Sequence, residues 1–279
     1  MALEPISLFK DLAIADAFQE NGYVKIPFTS DLQLLRLKQL FKNYFGEEDV
    51  FKNFFYSIQA LTPDQCLVLK NAISQILEPS LNNTFVNYKT IADSFLAKPK
   101  NLESMWLHQD WSYAFEQDTF CATLWLPLIN THTSNGTLFY IKQSHRFFQN
   151  YRSGNYPTSR IEMNDLLEQH VSTINVKAGE AVFFHPALFH GSYPNSTNEL
   201  RIVSAAIVLP RECNAMYFHK LSSQTAEVFE FSDLAFFENL KQLAIGLRPN
   251  GKEVNKLRYE HNEINAESLL QKIREHNAF

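Results

Sequence analysis

The stretch TLWLPL at residues 123–128 alternates between two kinds of position, as expected for a β-strand with two different faces. Leu124, Leu126 and Leu128 fall on one face, and the intervening residues fall on the other. Short apolar runs of this kind recur through the middle of the chain, separated by turn signals such as Asn135-Gly136. We predict strands over residues 84–90, 105–113, 119–128, 137–142, 172–177, 181–185 and 200–209. This spacing of strands and turns predicts a sandwich or barrel, here a jelly roll.

Helical patterns flank this strand region on both sides. On the N-terminal side we predict helices over 7–21, 31–44 and 63–77, with a short strand at 23–26. A further helix is predicted near 163–170, and the last part of the chain is predicted to be helical over 234–247 and 266–275. The predicted fold class is therefore α+β with a mainly β core. It is one domain over 1–279, comprising a helical N-terminal part (1–80), a jelly-roll core (84–210) and a helical C-terminal cap (211–279).

The composition excludes several classes of protein. The 279 residues carry a formal net charge of −5 and are 45% hydrophobic, which permits a sizeable core and lacks the basic excess of a nucleic-acid binder. We expect no membrane span, because no run of about 18 apolar residues occurs, and no signal peptide. The three cysteines lie far apart and form no C-x-x-C pair, which favours a reducing, cytoplasmic compartment over a cysteine-rich zinc site. No pattern in the sequence indicates the oligomeric state.

His108 and Asp110 are a candidate pair of metal ligands. On a strand, residues i and i+2 point to the same face, so an imidazole and a carboxylate would lie side by side. A second histidine would complete the set of two histidines and one carboxylate that leaves open positions for non-haem Fe(II) oxygenase chemistry. The stretch FFHPALFHGS at 183–192 offers two candidates, His185 and His190. The similar spacing in HNE at 261–263 lies in a polar stretch typical of a solvated surface.

Arg201 is a lone basic residue at the start of a strongly apolar predicted strand. A guanidinium directed into a barrel interior is costly unless it binds an anion, ideally a carboxylate held by two hydrogen bonds. A protein carboxylate such as Glu199 is one possible partner. If no protein carboxylate is close, the carboxylate of a ligand is the natural partner.

Several short motifs follow one another along the chain: HQDW at 108–111, WLPL at 125–128, NGTL at 135–138, QSH at 143–145, GE at 179–180, FH at 184–185, HGS at 190–192 and the stretch from Asn195 to Arg201. Taken together, these motifs resemble those of the phytanoyl-CoA dioxygenase family. The resemblance covers about residues 15 to 210 with order and approximate spacing intact, and the full set is far more specific than any single motif. The chain departs from the family pattern at Lys142-Gln143 and at Glu180, and neither departure replaces an implied ligand.

The resemblance implies a double-stranded β-helix, cupin-like, that uses Fe(II), 2-oxoglutarate and O2. By that resemblance His108, Asp110 and His190 would hold the iron, and the spacing to Arg201 favours His190 over His185. Arg201 and Ser192 would bind the distal carboxylate of 2-oxoglutarate, and two residues would lie near the co-substrate: Trp125 and Gln109. A further co-substrate contact on the strand at 84–90 stays open between Asn87 and Lys89.

The implied reaction is hydroxylation of an unactivated C–H bond, with release of succinate and CO2. The expected substrate is a small molecule or an amino-acid-like biosynthetic intermediate, free or tethered to a carrier or coenzyme A. The loops and ends at 44–60, 146–170 and 211–279 would form its pocket, with candidate contacts at Trp111, Tyr113, Phe115 and the segment 147–152. Two alternatives remain: desaturation, epoxidation or cyclisation at the same iron centre, and a non-catalytic jelly-roll binding module.

Overall fold

The structure is a computed structural model that describes residues 6–46, 52–148, 150–156, 160–259 and 261–277. Two antiparallel sheets form its centre. The first has six strands in the order β1-β8-β5-β10-β3-β2, and the second has four in the order β4-β9-β6-β7. The strands are β1 (Tyr23–Pro27), β2 (Phe55–Tyr56), β3 (Tyr88–Lys98), β4 (Met105–His108), β5 (Ala122–Pro127), β6 (Leu138–Ile141), β7 (Val171–Ile174), β8 (Glu180–Phe184), β9 (His190–Ser192) and β10 (Arg201–Pro210).

The alternation along residues 123–128 separates the two faces of the six-stranded sheet, here called the large sheet. Leu124 and Leu126 of β5 pack into one cluster with residues of three helices, α1 (Leu12–Asn21), α2 (Asp31–Phe45) and α4 (Pro63–Thr84). Trp125, between them, packs instead with residues of β6 and β7 from the second sheet. The predicted jelly-roll fold class with flanking helices is therefore confirmed, with a barrel interior between the two sheets.

The predicted N-terminal helices are present, although the first begins at Leu12 and not at residue 7. Ser30 and Thr62 each accept a hydrogen bond from the third residue of their helix. The helix α4 continues through Pro79 to Thr84 rather than ending near Leu77. Leu77 and Leu81 are both buried in the core, so packing against the sheet holds the last turns in helical conformation despite the proline.

The prediction of a helical cap over 211–279 is wrong in part. This region contains a three-stranded antiparallel sheet of β11 (Ala215–Lys220), β12 (Thr225–Phe231) and β13 (Lys252–Arg258), along with α6 (Asp233–Ala244) and α7 (Ala266–Asn277). Tyr217 and Phe229 of this sheet pack against Phe236 and Leu240 of α6. The strands form because they bury one face under that helix.

Other boundaries also differ from the predictions. The strand predicted at 105–113 ends at His108, and the strand predicted at 84–90 covers Tyr88–Lys98. Two further short helices, α3 (Ser57–Ala60) and α5 (Asp165–Glu168), lie in connecting segments, the latter inside the helix predicted near 163–170. In the described parts of the chain, none of the helices has the length and apolar character needed to cross a membrane.

Candidate active site

Three residues, here called the triad, meet at one end of the four-stranded sheet: His108, Asp110 and His190. His108 is paired directly with His190 across β4 and β9, and their ring centroids lie 4.4 Å apart. Nε2 of His190 lies 3.9 Å from Oδ1 of Asp110. One ligand atom from each residue can be chosen so that all lie within 4.8 Å of one another, which is close enough for a single metal ion. Among the described residues this is the one such group.

Hydrogen bonds to backbone carbonyls fix the tautomers of both histidines. Nδ1 of His108 lies 2.9 Å from the carbonyl oxygen of Trp106, and Nδ1 of His190 lies 2.9 Å from that of Leu188. A carbonyl oxygen can only accept, so each Nδ1 carries a hydrogen, and Nε2 is the atom through which each ring would bind a metal. Burial is the main cause that lowers the pKa of His190 to about 4, and neighbouring His108 lowers it further. Both imidazoles are therefore suited to bind a metal.

Asp110 follows β4 rather than lying on it, so its position depends on tertiary contacts. Its backbone N–H donates to the carbonyl oxygen of Pro186 at 2.9 Å. Its carboxylate Oδ2 accepts a hydrogen bond of 2.7 Å from the Thr123 hydroxyl on β5, inside the barrel. Arg152 donates from Nε to the Asp110 carbonyl oxygen at 2.6 Å.

Arg152 and Glu116 form a buried ion pair beside the triad that sequence reasoning missed. Nη2 of Arg152 lies 2.6 Å from both carboxylate oxygens of Glu116. The side chains are only 8% and 10% exposed. Burial raises the pKa of Glu116, and the charge of Arg152 opposes that shift. The arginine falls in the aromatic segment 147–152 that was predicted as a substrate contact, but no spacing pattern linked it to Glu116.

The segment 150–156, which carries Arg152, also joins the triad to the C-terminal sheet. The ring of Tyr151 stacks on Phe218 of β11 with centroids 4.0 Å apart. The hydroxyl of Ser153 donates to the carbonyl oxygen of Phe218 at 2.7 Å. One short segment therefore contacts both the loop that holds Asp110 and the strand β11.

His185, the alternative to His190, is not part of the triad. Its Nδ1 accepts a hydrogen bond of 3.0 Å from the backbone of Ala187, and its ring lies near that of His145. Burial lowers the pKa of His185 to about 3, so the ring is neutral. His261, the other histidine with a suitable spacing, packs against Tyr156 and Tyr259.

Arg201, the first residue of β10, is buried in the barrel interior at 2% exposure. Its Nη1 donates to the carbonyl oxygen of Gly136 at 3.1 Å, and its guanidinium carbon lies 5.6 Å from the centre of the Trp125 ring. Its Nε is buried without a hydrogen-bond partner, and no described carboxylate, Glu199 included, forms an ion pair with it. Burial lowers the pKa of Arg201 to about 9. This is the environment expected of a cation that binds an anionic ligand.

Ser192 lies two residues after His190 on β9 and is buried beside Lys98, the last residue of β3. Nζ of Lys98 lies 3.1 Å from the Ser192 hydroxyl oxygen. Asn87 and Lys89, the contacts considered on this strand, instead hydrogen-bond to Glu212 and Asn214 in the C-terminal region. The structure therefore brings the other end of the strand to Ser192, which the sequence pattern did not indicate.

Gly191, between His190 and Ser192, lies where β9 runs closest to its neighbours. A Cβ atom at this position would lie 2.5 Å from Cζ of Phe139 on β6 and 2.6 Å from the carbonyl oxygen of Met105 on β4. Any side chain would therefore push the strands apart.

A cavity of about 240 Å³ opens beside His108 and Asp110. Each of the three segments that we predicted to form a pocket contributes to it, through Tyr56, Arg160 and Leu240 among others. Trp111 and Tyr113 also line it, as expected, whereas Phe115 packs on Phe218 instead. Gln109 lines the cavity while its Nε2 donates to the carbonyl oxygen of Ala187 at 2.6 Å, and its buried Oε1 has no hydrogen-bond partner.

Solved structures of similar fold include an epimerase from nogalamycin biosynthesis and two further proteins, EvdO2 and HygX. The epimerase SnoN from nogalamycin biosynthesis, solved with Fe3+, alpha-ketoglutarate and nogalamycin RO, has a TM-score of 0.55 at 17% identity, covering 88% of this chain and 95% of that one. EvdO2 from Micromonospora carbonacea var. aurantiaca, complexed with 2-oxoglutarate, has a TM-score of 0.52 at 14% identity, covering 75% and 94%. HygX from Streptomyces hygroscopicus, with nickel, 2-oxoglutarate and hygromycin B, has a TM-score of 0.50 at 14% identity, covering 73% and 88%.

At these identities the likeness establishes the fold. No curated protein matches the sequence. The family model for phytanoyl-CoA dioxygenase matches residues 18–203, which is most of the chain and contains the whole triad, Ser192 and Arg201. The chain therefore belongs to the phytanoyl-CoA dioxygenase family of non-haem iron and 2-oxoglutarate-dependent enzymes.

Proposed function

We propose that this protein is a dioxygenase that uses Fe(II), 2-oxoglutarate and O2 to hydroxylate an unactivated C–H bond of a small molecule. One observation carries the proposal: the barrel holds a triad competent for metal binding together with a buried arginine that has no carboxylate partner. The triad supplies the ligands for iron, and Arg201 supplies the cation for the distal carboxylate of 2-oxoglutarate.

The triad residues fit a divalent iron. Two imidazoles that can coordinate through Nε2 and one carboxylate are the donor set of non-haem Fe(II) oxygenases, and they leave coordination positions open for other ligands. Thr123 holds the second oxygen of Asp110, which favours coordination through the first. The same donors bind nickel readily, so metal identity depends on supply as well as geometry.

The residues of the barrel interior fit a dicarboxylate. Arg201 can form two parallel hydrogen bonds with a carboxylate, and its unpartnered Nε is a free donor. Ser192 can donate a further hydrogen bond, and the Trp125 ring packs beside the guanidinium and limits where the carboxylate can lie. SnoN, EvdO2 and HygX, which share the fold, were each solved with this 2-oxo acid, and this supports the assignment.

When bound, iron, 2-oxoglutarate and O2 supply an oxidative decarboxylation that yields succinate, CO2 and an oxidant strong enough for C–H bonds. The chain itself provides binding and orientation. His108, Asp110 and His190 would hold the metal, and because His108 and Asp110 line the cavity, a substrate bound there would lie beside them. Trp111 and Tyr113 cover part of the cavity wall, and we propose that they exclude water from the reacting atoms.

The cavity supports a small molecule, or an amino-acid-like biosynthetic intermediate, as the group that reacts. Its size admits the reacting portion of a substrate that is free or tethered to a carrier or coenzyme A. The three free thiols, Cys66, Cys121 and Cys213, support a reducing, cytoplasmic location.

A different outcome at the same centre is the second candidate. The likeness in fold to an epimerase supports considering reactions other than hydroxylation. Desaturation, epoxidation or cyclisation would use the same triad, because the outcome depends on how the substrate lies against the metal. The mass of the product separates two groups of outcomes: hydroxylation and epoxidation add one oxygen, whereas desaturation and oxidative cyclisation remove two hydrogens.

The decisive experiment measures iron binding and 2-oxoglutarate turnover together. Anaerobic Fe(II) protein titrated with 2-oxoglutarate should develop a visible charge-transfer band, and turnover with candidate substrates should release succinate in an iron-dependent way. His108→Ala should lose both the band and succinate release. Absence of stoichiometric iron and of the band in the wild-type protein would overturn the proposal in favour of a non-catalytic jelly-roll module.

A further inference from the structure

Lys98 and Arg201 are two buried cations that face each other across neighbouring strands. They are paired directly in the antiparallel register of β3 and β10, so their side chains lie on the same face. Lys98 is 1% exposed and Arg201 is 2% exposed. A Cβ atom on Gly136 would lie 3.0 Å from Cδ of Lys98 and 3.6 Å from Cδ of Arg201, so both aliphatic stems pass over the same glycine.

No carboxylate of the described chain forms an ion pair with either cation. Burial first, and then the charge of Arg201, lowers the pKa of Lys98 to about 7, and the charge of Glu103 only partly offsets this. Two neighbouring buried cations without an anion are unfavourable, since desolvation and mutual repulsion act together. A bound anion between the strands would remove most of that cost.

The hydrogen bonds of Lys98 indicate how it acts. Its ammonium group donates to the Ser192 hydroxyl oxygen at 3.1 Å, to the Ser192 carbonyl oxygen at 3.3 Å and to the carbonyl oxygen of Tyr193. All three of its protons are therefore engaged, and Lys98 has none left for a ligand. Because the Ser192 hydroxyl accepts from Lys98, its own proton is free to donate to another group.

We propose that Lys98 is a positioning residue for the distal carboxylate of 2-oxoglutarate. It holds Ser192 as a hydrogen-bond donor toward that carboxylate and adds a second positive charge beside Arg201. The proposal rests on the proposed function, since it assumes 2-oxoglutarate as co-substrate. In a purely structural role, Lys98 would only connect β3 to the residues at the end of β9; the proposed role also includes an effect on the ligand.

The test compares two 2-oxo acids in the anaerobic Fe(II) protein, with the charge-transfer band as the readout. 2-Oxoglutarate has the distal carboxylate, whereas 2-oxovalerate has the same chain length and ends in a methyl group. Lys98→Met should weaken 2-oxoglutarate binding by about tenfold to a hundredfold and leave 2-oxovalerate binding within about threefold, because Lys98 acts only on the distal carboxylate, through the Ser192 hydroxyl and through its own charge. Lys89→Met, on the same strand but bonded to Asn214, is the matched control and should change neither affinity.

The coupling to Ser192 is tested by a double-mutant cycle. In a Ser192→Ala background, Lys98→Met should lose a large part of its effect on 2-oxoglutarate binding, because the hydroxyl that it holds is gone. Lys98→Arg should restore part of the affinity for 2-oxoglutarate. If Lys98→Met does not fold, Lys98→Gln provides the same comparison with hydrogen-bonding capacity retained and the charge removed.

Equal weakening of both 2-oxo acids by Lys98→Met, or no weakening of either, would overturn the role of Lys98 while leaving the proposed function intact. A wild-type protein that binds iron but neither 2-oxo acid would instead overturn the proposed function, and the role of Lys98 would fall with it.

Discussion

The Thr123 hydroxyl donates a hydrogen bond of 2.7 Å to Oδ2 of Asp110 and so links β5 of the large sheet to the metal ligand that follows β4. This contact leaves Oδ1, the oxygen nearer His190, as the one that faces the other triad atoms. The orientation of the carboxylate therefore depends on a residue that is not itself a ligand.

We expect Thr123→Val to reduce affinity for Fe(II) by about tenfold to a hundredfold, because a metal ligand that loses its orienting hydrogen bond binds more weakly. The valine keeps the shape of the side chain, so the fold should persist. Thr123→Ser retains the hydroxyl and should bind iron nearly as well as wild type. Equal affinities for all three proteins in a metal titration would contradict this reading.

Substitutions of the two histidines in the FFHPALFHGS stretch should differ in their effect on iron binding. His190→Ala should abolish iron binding, because His190 supplies one of the triad's ligand atoms. His185→Gln should keep stoichiometric iron, since the His185 ring contacts the backbone of Ala187 and not the triad. Iron content after anaerobic reconstitution measures both, and loss of iron in the His185 variant alone would show that the triad is assigned wrongly.

Substitutions of Arg201 should lower the affinity for 2-oxoglutarate and leave the affinity for Fe(II) unchanged. We expect Arg201→Met to weaken 2-oxoglutarate binding at least about a hundredfold, since a carboxylate bound by two charge-assisted hydrogen bonds loses both. The affinity of Arg201→Lys for 2-oxoglutarate should lie between those of the wild-type protein and Arg201→Met, because an ammonium group cannot form the paired contact. The affinity for Fe(II) alone serves as the internal control and should stay unchanged. A parallel loss of iron affinity would indicate a general disruption of the barrel.

Removing one partner of the buried Glu116–Arg152 pair should destabilise the fold. Glu116→Gln leaves the charge of Arg152 buried without its partner, so we expect the free energy of unfolding to fall by about 3 kcal/mol. Denaturant titration of the apo protein measures this. Adding Arg152→Met should recover part of the loss, because the stranded charge is then removed. A change under about 1 kcal/mol in the single variant would mean that solvent reaches the arginine.

Asp93 should make stability depend on pH. It lies at a bulge in β3, next to Ala92 with φ 55, and is fully buried with one carboxylate oxygen unpartnered. Burial raises its pKa to about 6, although Lys70 and the hydroxyls of Thr90 and Ser74 oppose the shift.

Between about pH 4 and pH 6 the folded state therefore holds a proton that the unfolded chain has released. Raising the pH through this window should lower the free energy of unfolding by up to about 3 kcal/mol, and the penalty stays in full above it. Asp93→Asn should flatten this part of the profile and be more stable than wild type at neutral pH. Unfolding curves at a series of pH values measure the difference, and identical slopes for both proteins would refute it.

The sequence predicted those parts of the site that depend on short spacing or on a recognisable motif. His108 and Asp110 lie two residues apart, and Trp125 lies on a clearly alternating strand. His190 comes from far along the chain, and only the pairing of β4 with β9 brings it to His108. The motif after it, rather than any periodicity, distinguished it from His185.

Lys98, Glu116 and Arg152 could not be predicted, because their partners come from other elements and no local pattern marks them. The strand β9 was missed since three residues are too few to show alternation. The C-terminal strands were missed for a different reason: β13, KEVNKLR, is a polar edge strand whose pattern resembles that of a solvated helix. Tertiary pairing with β12 decides its conformation.

The segment 150–156 connects the loop that holds Asp110 to the C-terminal sheet. Iron would bind the folded arrangement of Asp110, to which Arg152 is hydrogen-bonded, and the neighbouring Tyr151 and Ser153 contact Phe218 on β11. We expect metal binding to slow amide hydrogen exchange in β11. By thermodynamic linkage, a ligand that binds the ordered C-terminal sheet should raise the affinity for iron by the same factor by which iron raises the affinity for that ligand. A substrate that binds to this sheet would then raise the affinity of the protein for iron before turnover begins.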